Sequence, residues 1–199
     1  IDFMNRSDQW MVNFYEKVAK EAAKNKLIVD FHGSFKPAGL ERRYPNVLSY
    51  EGVLGLEMGA RCTPSNSIFY PFIRNAVGAM DFTPGSMISA QPEDNKYTRA
   101  NAMEAGTRAY QMALYVVFKS GLQMLADNPV YYYRENDCTE FITDIPVTWD
   151  ETRILSAKIG EYIVLARKKG KDWYVGAITN DCGRSIDINL DFLDSKNQY

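Results

Sequence analysis

The chain has 199 residues, with 23 Lys and Arg against 25 Asp and Glu, a net charge of -2, 46% apolar residues and 13% aromatic ones, the composition of an ordinary globular protein. That composition excludes disorder, collagen-like repeats and coiled coil, and the near-neutral balance, with no basic block longer than Arg167-Lys168-Lys169, argues against a general nucleic-acid or anionic-membrane binder. No window reaches the roughly 20 uninterrupted apolar residues that a membrane span needs, since even the run from Met112 to Phe118 is closed by Lys119 and Gly121.

Ile1-Asp2-Phe3 opens the sequence with neither an initiator Met nor a charged-then-apolar leader, which predicts a chain cut from something longer. Ser7 or Asp8 can cap a helix in which Trp10, Met11, Phe14, Val18 and Ala22 recur at helical spacing before Asn25 ends it, so a helix is expected over roughly 8–25. The β-rich run Leu27 to Phe31, stopped by His32-Gly33, reads as a strand buried on both faces. An apolar residue, an Asp-Phe pair and a break recur at Ile1-Asp2-Phe3-Met4, Val29-Asp30-Phe31-His32 and Met80-Asp81-Phe82-Thr83-Pro84-Gly85, so three strand ends carry an acid. A Gly/Pro-rich loop (33–45), a Glu-containing segment (50–58) and an aromatic stretch (68–73) lie between the second and third of these. A polar loop over 86–98, a long helical pattern through Ala102, Met103, Tyr110, Leu114 and Val117, and a short run over 122–125 follow.

Beyond about Val147 the pattern changes. Short β-type runs at 149–155, 162–167, 173–178 and 185–190, separated by turns such as Lys169-Gly170-Lys171-Asp172, predict an antiparallel module after an α/β one, with the boundary between Tyr133 and Pro146. Parallel strands with acids at their ends fit part of a (β/α)8 barrel, whose chemistry sits at the C-terminal ends of its strands. A whole barrel takes about 250 residues and about 135 precede the boundary, so roughly half a barrel is expected. Three cysteines, Cys62, Cys138 and Cys182, lie far apart and odd in number, and read as packing residues rather than a disulfide framework or metal site.

Among candidate chemical groups, Glu51 and Glu57 sit in an apolar stretch with two glycines, where a carboxylate wants a metal, a partner or a raised pKa. Two carboxyls across a scissile bond are what glycoside cleavage needs, one acting on the anomeric carbon or on water and one protonating the leaving oxygen. Against that stand plainer readings. Asp2, Asp30 or Asp81 can cap the next turn, Glu57 can pair with Arg61 at i+4, and His32, the sole histidine, suits a hydrogen-bonding or sugar-contacting role better than a structural metal site. Arg42-Arg43-Tyr44-Pro45-Asn46 is either a surface loop or a bidentate and stacking surface for a polyhydroxylated ligand.

Taken in order, Ile1-Asp2-Phe3-Met4-Asn5-Arg6-Ser7-Asp8-Gln9, Asp30-Phe31-His32-Gly33-Ser34-Phe35-Lys36-Pro37-Ala38-Gly39-Leu40, Arg43-Tyr44-Pro45-Asn46, Glu51-Gly52-Val53-Leu54-Gly55-Leu56-Glu57, Met80 to Gly85 and Trp149-Asp150-Glu151-Thr152 resemble the successive motifs of glycoside hydrolase family 97. Acidic residues are common in that family where Asn5 and Ser7 stand here. The resemblance implies an α/β fold in which residues 1–140 are the second half of a catalytic (β/α)8 TIM barrel and 141–199 part of an all-β, antiparallel β-sandwich module. The N-terminal sandwich and first barrel strands would belong to a missing part of the same protein.

The resemblance further implies hydrolysis of α-linked sugars, an oligosaccharide or small α-glycoside, assisted by a calcium cofactor. Asp2 matches the nucleophile of retaining members, whereas inverting members carry a Glu base where Gly33 stands. Glu57 matches the acid/base, Glu51 a calcium ligand, and Glu57 also lies within reach of the ion, whose other ligands come from the N-terminal sandwich. His32, Lys36 and Arg43 are candidates for sugar hydroxyls. The retaining branch implies an α-galactosidase, with an α-glucosidase or an inactive sugar-binding fragment as alternatives, in a bacterial periplasm.

Overall fold

The computed structural model describes residues 1–91, 94 and 103–196. Helix α1 spans Gln9–Lys24, and of the two expected caps it is Asp8 that serves, its carboxylate accepting the Met11 N–H. Met11, Tyr15 and Ala19 form its buried stripe, while Trp10 stays exposed and stacks on Phe14. Strand β1 is Val29–Phe31, shorter than the β-rich run predicts, because Leu27 and Ile28 lie outside it and are exposed. A short helix α2 (Leu40–Arg43) leads into strand β2 (Val47–Tyr50), which pairs with β1 in parallel.

This pair is the middle of a wider strip. The Ile1 ammonium donates to the Asp30 carbonyl at 3.1 Å and the His32 N–H to the Ile1 carbonyl at 2.9 Å, so Ile1–Asp2 runs alongside β1 in the same direction. On the other side Tyr50 bridges Met80 in parallel, and the Asp81 N–H donates to the Tyr50 carbonyl at 2.9 Å. The three Asp-Phe signatures are thus parallel lanes of one strip, the first beside the second and the third beyond β2, with their C-terminal ends at one edge, so that three strand ends carry an acid as expected. Helix α1 covers one face of the strip, packing Met11, Tyr15 and Ala19, with Met4 from the segment before it, on Val29, Phe31, Val47 and Tyr50. The Tyr15 and Phe31 rings lie 4.6 Å apart and the Phe31 and Tyr50 rings 5.3 Å.

After β2 come a 3-10 turn (Leu56–Arg61) and two single-turn helices, α3 (Pro64–Ser67) and α4 (Tyr70–Ile73). Two-residue strands β3 (Ser89–Ala90) and β4 (Glu104–Ala105) pair in parallel, followed by α5 (Arg108–Val117). The helix expected from Ala102 onward starts only at Arg108. Met103 to Gly106 are not helical, and Thr107 is the cap, its hydroxyl accepting the Tyr110 N–H. Ala102 and positions 92, 93 and 95–98 of the expected polar loop lie outside the described residues. The run over 122–125 forms no element, and two further helices stand where the boundary was expected, α6 (Pro129–Arg134) and α7 (Asn136–Asp144).

Strands β5 (Glu151–Lys158), β6 (Tyr162–Lys169) and β7 (Asp172–Thr179) make an antiparallel sheet in the order β5-β6-β7. The fourth β-type run, over 185–190, is not a strand, although Ile186, Ile188 and Leu190 alternate as a strand's residues do. Helix α5 seats on this sheet closely enough that a Cβ on Gly176 would come 2.8 Å from the Val116 Cβ, and Leu114, Val116, Ile163, Leu165 and Ile178 share one core. Of the cysteines, Cys62 is fully buried and packs in that core, Cys138 is half-buried, and Cys182 is exposed and therefore not a packing residue.

Candidate active site

Because the lanes run in one direction, the residues leaving their C-terminal ends meet. The His32 ring is the meeting point. Its Nδ1 hydrogen-bonds Asp81 Oδ2 at 2.8 Å, and its Nε2 lies 3.2 Å from Glu57 Oε2 and 3.5 Å from Glu51 Oε1. The other Glu51 oxygen accepts the Gly33 N–H at 2.6 Å. Behind Asp81 stands Asp30, which accepts the Ser49 hydroxyl. The side chains thus form a continuous row, Ser49, Asp30, Asp81, His32, then the two glutamates, running from buried groups to Glu57, whose side chain is 43% exposed.

Charge follows from this placement. Burial alone would lower the His32 pKa, but the hydrogen bonds to Asp81 and Glu57 and the field of Glu51 outweigh it and push the imidazole up to about 9. It is a cation at neutral pH, so both ring nitrogens donate. Burial, then the neighbouring Asp81, push Asp30 up to about 7, so the Asp30–Asp81 pair keeps a proton below that pH. Burial likewise raises Glu51, with His32 acting in the opposite direction.

Asp2 joins from the first lane. Its Oδ1 lies 3.0 Å from the position a Cβ on Gly33 would take, and the Phe3 nitrogen lies 2.8 Å from that position. With φ at +57°, residue 33 must be glycine on two grounds, conformation and space. Asp2 and Glu51 therefore flank the same peptide, and Glu51 and Glu57 flank the same imidazole nitrogen.

The other candidates divide. Lys36 is exposed, with its backbone against Gly52, next to Glu51 in the chain. Arg43 is not at this edge: it lies in the helix that enters β2 at the opposite end, pairs with Glu16 Oε1 at 2.6 Å and stacks on Tyr44. Arg43 is thus a surface residue, in line with the plainer reading, although in a short helix rather than a loop. Asp30 and Asp81 act neither as caps nor at the open edge, but as the support behind His32. Ser49 and Arg74 carry no sequence signal, and Thr83, inside the third Asp-Phe signature, carries none for a role of its own, although all three touch this machinery. Thr83 Oγ1 accepts the Glu57 N–H at 3.2 Å, and the buried Arg74 guanidinium donates to the carbonyls of Tyr50, Glu51, Gly78 and Ala79.

Glu51 and Glu57 present carboxylate oxygens close enough together to share one ion. Oxygen donors of this hardness suit calcium, which takes six to eight of them at about 2.3–2.6 Å. These two residues fit as part of such a shell, while an imidazole nitrogen does not belong in it.

Carboxyls gathered at the C-terminal edge of parallel strands, one of them buried and raised and another open to solvent, make a cluster of acid–base groups where such strands gather their chemistry. The chain belongs to glycoside hydrolase family 97. Residues 1–53 match the model "Glycoside hydrolase 97" and residues 148–199 the model "Glycosyl-hydrolase 97 C-terminal, oligomerisation". It is 47% identical over its whole length to the retaining alpha-galactosidase of Bacteroides thetaiotaomicron, and 34% identical over 96% of its length to a probable retaining alpha-galactosidase of Streptomyces bingchenggensis. It spans 31% and 28% of those two relatives. Among solved structures, a family 97 enzyme from a Pseudoalteromonas species in complex with acarbose superposes with a TM-score of 0.81 at 37% identity, covering 94% of this chain and 30% of that one. A beta-arabinopyranosidase superposes with a TM-score of 0.76 at 32% identity, covering 89% and 29%.

Proposed function

We propose that this chain carries the catalytic carboxyls of a retaining α-glycoside hydrolase, an α-galactosidase, within a longer protein whose N-terminal part completes the barrel. In this reading residues 1–140 are the second half of a (β/α)8 barrel and 141–199 part of a C-terminal β domain. The Asp2 carboxylate attacks the anomeric carbon while Glu57 gives its proton to the leaving oxygen; Glu57 then takes a proton from the water that releases the sugar from Asp2. Such a double displacement requires the two carboxyls roughly 5–5.5 Å apart.

One observation carries the retaining assignment: Asp2 Oδ1 and the Phe3 backbone fill the space into which a side chain on residue 33 would project. An inverting base borne at 33 and the present loop exclude each other, which leaves the carboxylate of Asp2 as the group at that face. The protonated His32, held by Asp81 through Nδ1, orients Glu51 and Glu57 through Nε2, and a sugar hydroxyl would share that Nε2–H with them; Lys36 stands at the rim. Glu51 and Glu57 would hold calcium, which when bound supplies a fixed positive charge that orients the acid/base and tunes its protonation.

Galactoside rather than glucoside preference is supported by the 47% identity to a retaining alpha-galactosidase, above the 36–37% shared with the family 97 enzyme solved with panose and with acarbose. The test uses the full-length protein. Asp2→Gly abolishes turnover, and azide restores it with a β-glycosyl azide as product; full activity without Asp2 rejects the assignment. Parallel assays on nitrophenyl α-galactoside and α-glucoside decide the sugar.

A further inference from the structure

Within that reading, we infer that Thr83 is a positioning residue for the acid/base Glu57, kept in an unfavourable backbone conformation so that its hydroxyl can hold the Glu57 amide. Only three non-glycine residues have positive φ, Phe3, Lys26 and Thr83, among the described residues. Thr83, at φ +55°, is disfavoured twice over. A β-branched side chain crowds its own backbone in the left-handed region, and a residue preceding a proline, here Pro84, is driven toward extended conformations. Glycine would be relaxed there, yet glycine lacks the one group this position uses.

That group has two partners. The Thr83 hydroxyl donates to the Phe82 carbonyl at 2.7 Å and accepts the Glu57 N–H at 3.2 Å, the donor–acceptor pair that one hydroxyl can satisfy at once. Alongside, the Leu56 N–H donates to the same Phe82 carbonyl at 3.0 Å, and a Cβ on Gly55 would come 3.1 Å from that oxygen. The turn carrying Glu57 therefore docks backbone to backbone on the turn at 82–83. Its own helix offers little alternative hold, being a 3-10 turn broken at Gly59.

The strained turn is clamped from beneath, as strain at a functional site requires. The Tyr115 hydroxyl sits between the Met124 carbonyl at 2.6 Å and the Pro84 carbonyl at 3.0 Å and shares its one proton between them, the Gly85 N–H donates to Gln111 Oε1 at 2.8 Å, and the Tyr132 hydroxyl donates to the Gly85 carbonyl at 2.8 Å. Helices α5 and α6 thus fix the turn, the turn fixes the Thr83 hydroxyl, and the hydroxyl fixes the peptide from which Glu57 projects.

The experiment separates this role from a merely structural one by leaving-group dependence. In the full-length protein, Thr83→Gly, Thr83→Ser and Glu57→Gln are assayed on an alkyl α-galactoside, whose departure needs a proton, and on a dinitrophenyl α-galactoside, whose departure does not, with thermal melting as the fold control. Thr83→Gly is expected to melt no lower than the parent, to lose about 10- to 100-fold in kcat/KM on the alkyl glycoside and to change less than about 3-fold on the activated one, as misplacement of a catalytic proton donor implies. Thr83→Ser restores the alkyl activity. Equal losses on both substrates, or none on either, or a Ser variant as impaired as the Gly variant, overturn the inference. If Glu57→Gln itself lacks leaving-group dependence, the acid/base assignment fails instead.

Discussion

In the antiparallel sheet each strand pairs with its sequence neighbour through a tight turn, at Gly160 and Gly170, and β6 is buried along most of its length. The parallel strip joins residues far apart in the chain, Ile1 to Asp30 and His32 to Asp81, separations of 29 and 49 positions. It also buries Glu51, Arg74 and Asp81. The first region places apolar side chains where apolar contacts are repeated along a regular register; the second places charges where they must be satisfied by one another. The clustered carboxyls lie in the second alone, and α5 connects the two regions, touching the sheet through Val116 and the 82–85 turn through Gln111 and Tyr115.

The largest effect expected is on chemistry without stability. Glu57→Gln should reduce turnover of unactivated glycosides by about 10²–10⁴-fold while leaving the melting temperature unchanged or higher, since one carboxylate of a crowded set is neutralised; a large fall in melting temperature would break the division. Arg74→Met should strike both properties. It leaves the Tyr50, Glu51, Gly78 and Ala79 carbonyls without their shared donor, an expected loss of about 3 kcal/mol measurable by urea unfolding, with activity falling in parallel. Gly176→Val should act on stability alone, by about 1–3 kcal/mol of overpacking against Val116, with kcat intact at temperatures where the protein remains folded.

The pH dependence comes next. His32 holds its proton more tightly folded than unfolded, about 9 against 6.5, so its contribution is complete below pH 6.5 and lost as pH rises through 9. Asp30, raised to about 7 from 3.8, also binds its proton more tightly in the folded state, so folding is disfavoured progressively as pH climbs from 3.8 through 7. Both slopes have the same sign. Urea titrations across pH should show stability falling in two steps, with Asp30→Asn removing the lower one and His32→Gln the upper. The smallest effect belongs to Arg43→Ala, which removes an exposed pair with Glu16 and a stacking contact on Tyr44 and should leave KM as it was and the melting temperature nearly so.

How much of this could be read from the residues depended on locality. Helix α1, with Asp8 at its cap, and the hairpins of the sheet obey rules that act within a few positions, and the three Asp-Phe repeats announced equivalent strand ends. The early start expected for α5 failed because Met103 and Tyr110 keep helical spacing across Gly106, whose φ of +108° interrupts the helix. The run over 185–190 alternates like a strand but finds no partner strand among the described residues. At the site, Glu51, Glu57, Asp2 and His32 stood out as acids and a lone histidine in apolar or strand-end settings. Arg43 was drawn in by its type, although the chain carries it to the other end of β2. Ser49, Thr83 and Arg74 were invisible because their value lies in which distant backbone or carboxyl they reach, and a hydroxyl or guanidinium has no periodicity to betray that.

The crowding at Gly33 also limits how this lineage can change. Any side chain acquired there meets the Phe3 nitrogen as well as the Asp2 oxygen, so a single replacement injures the loop before it can offer a new group. In the proposed mechanism, a base carried at position 33 would therefore require the loop through Asp2 and Phe3 to be redrawn along with it.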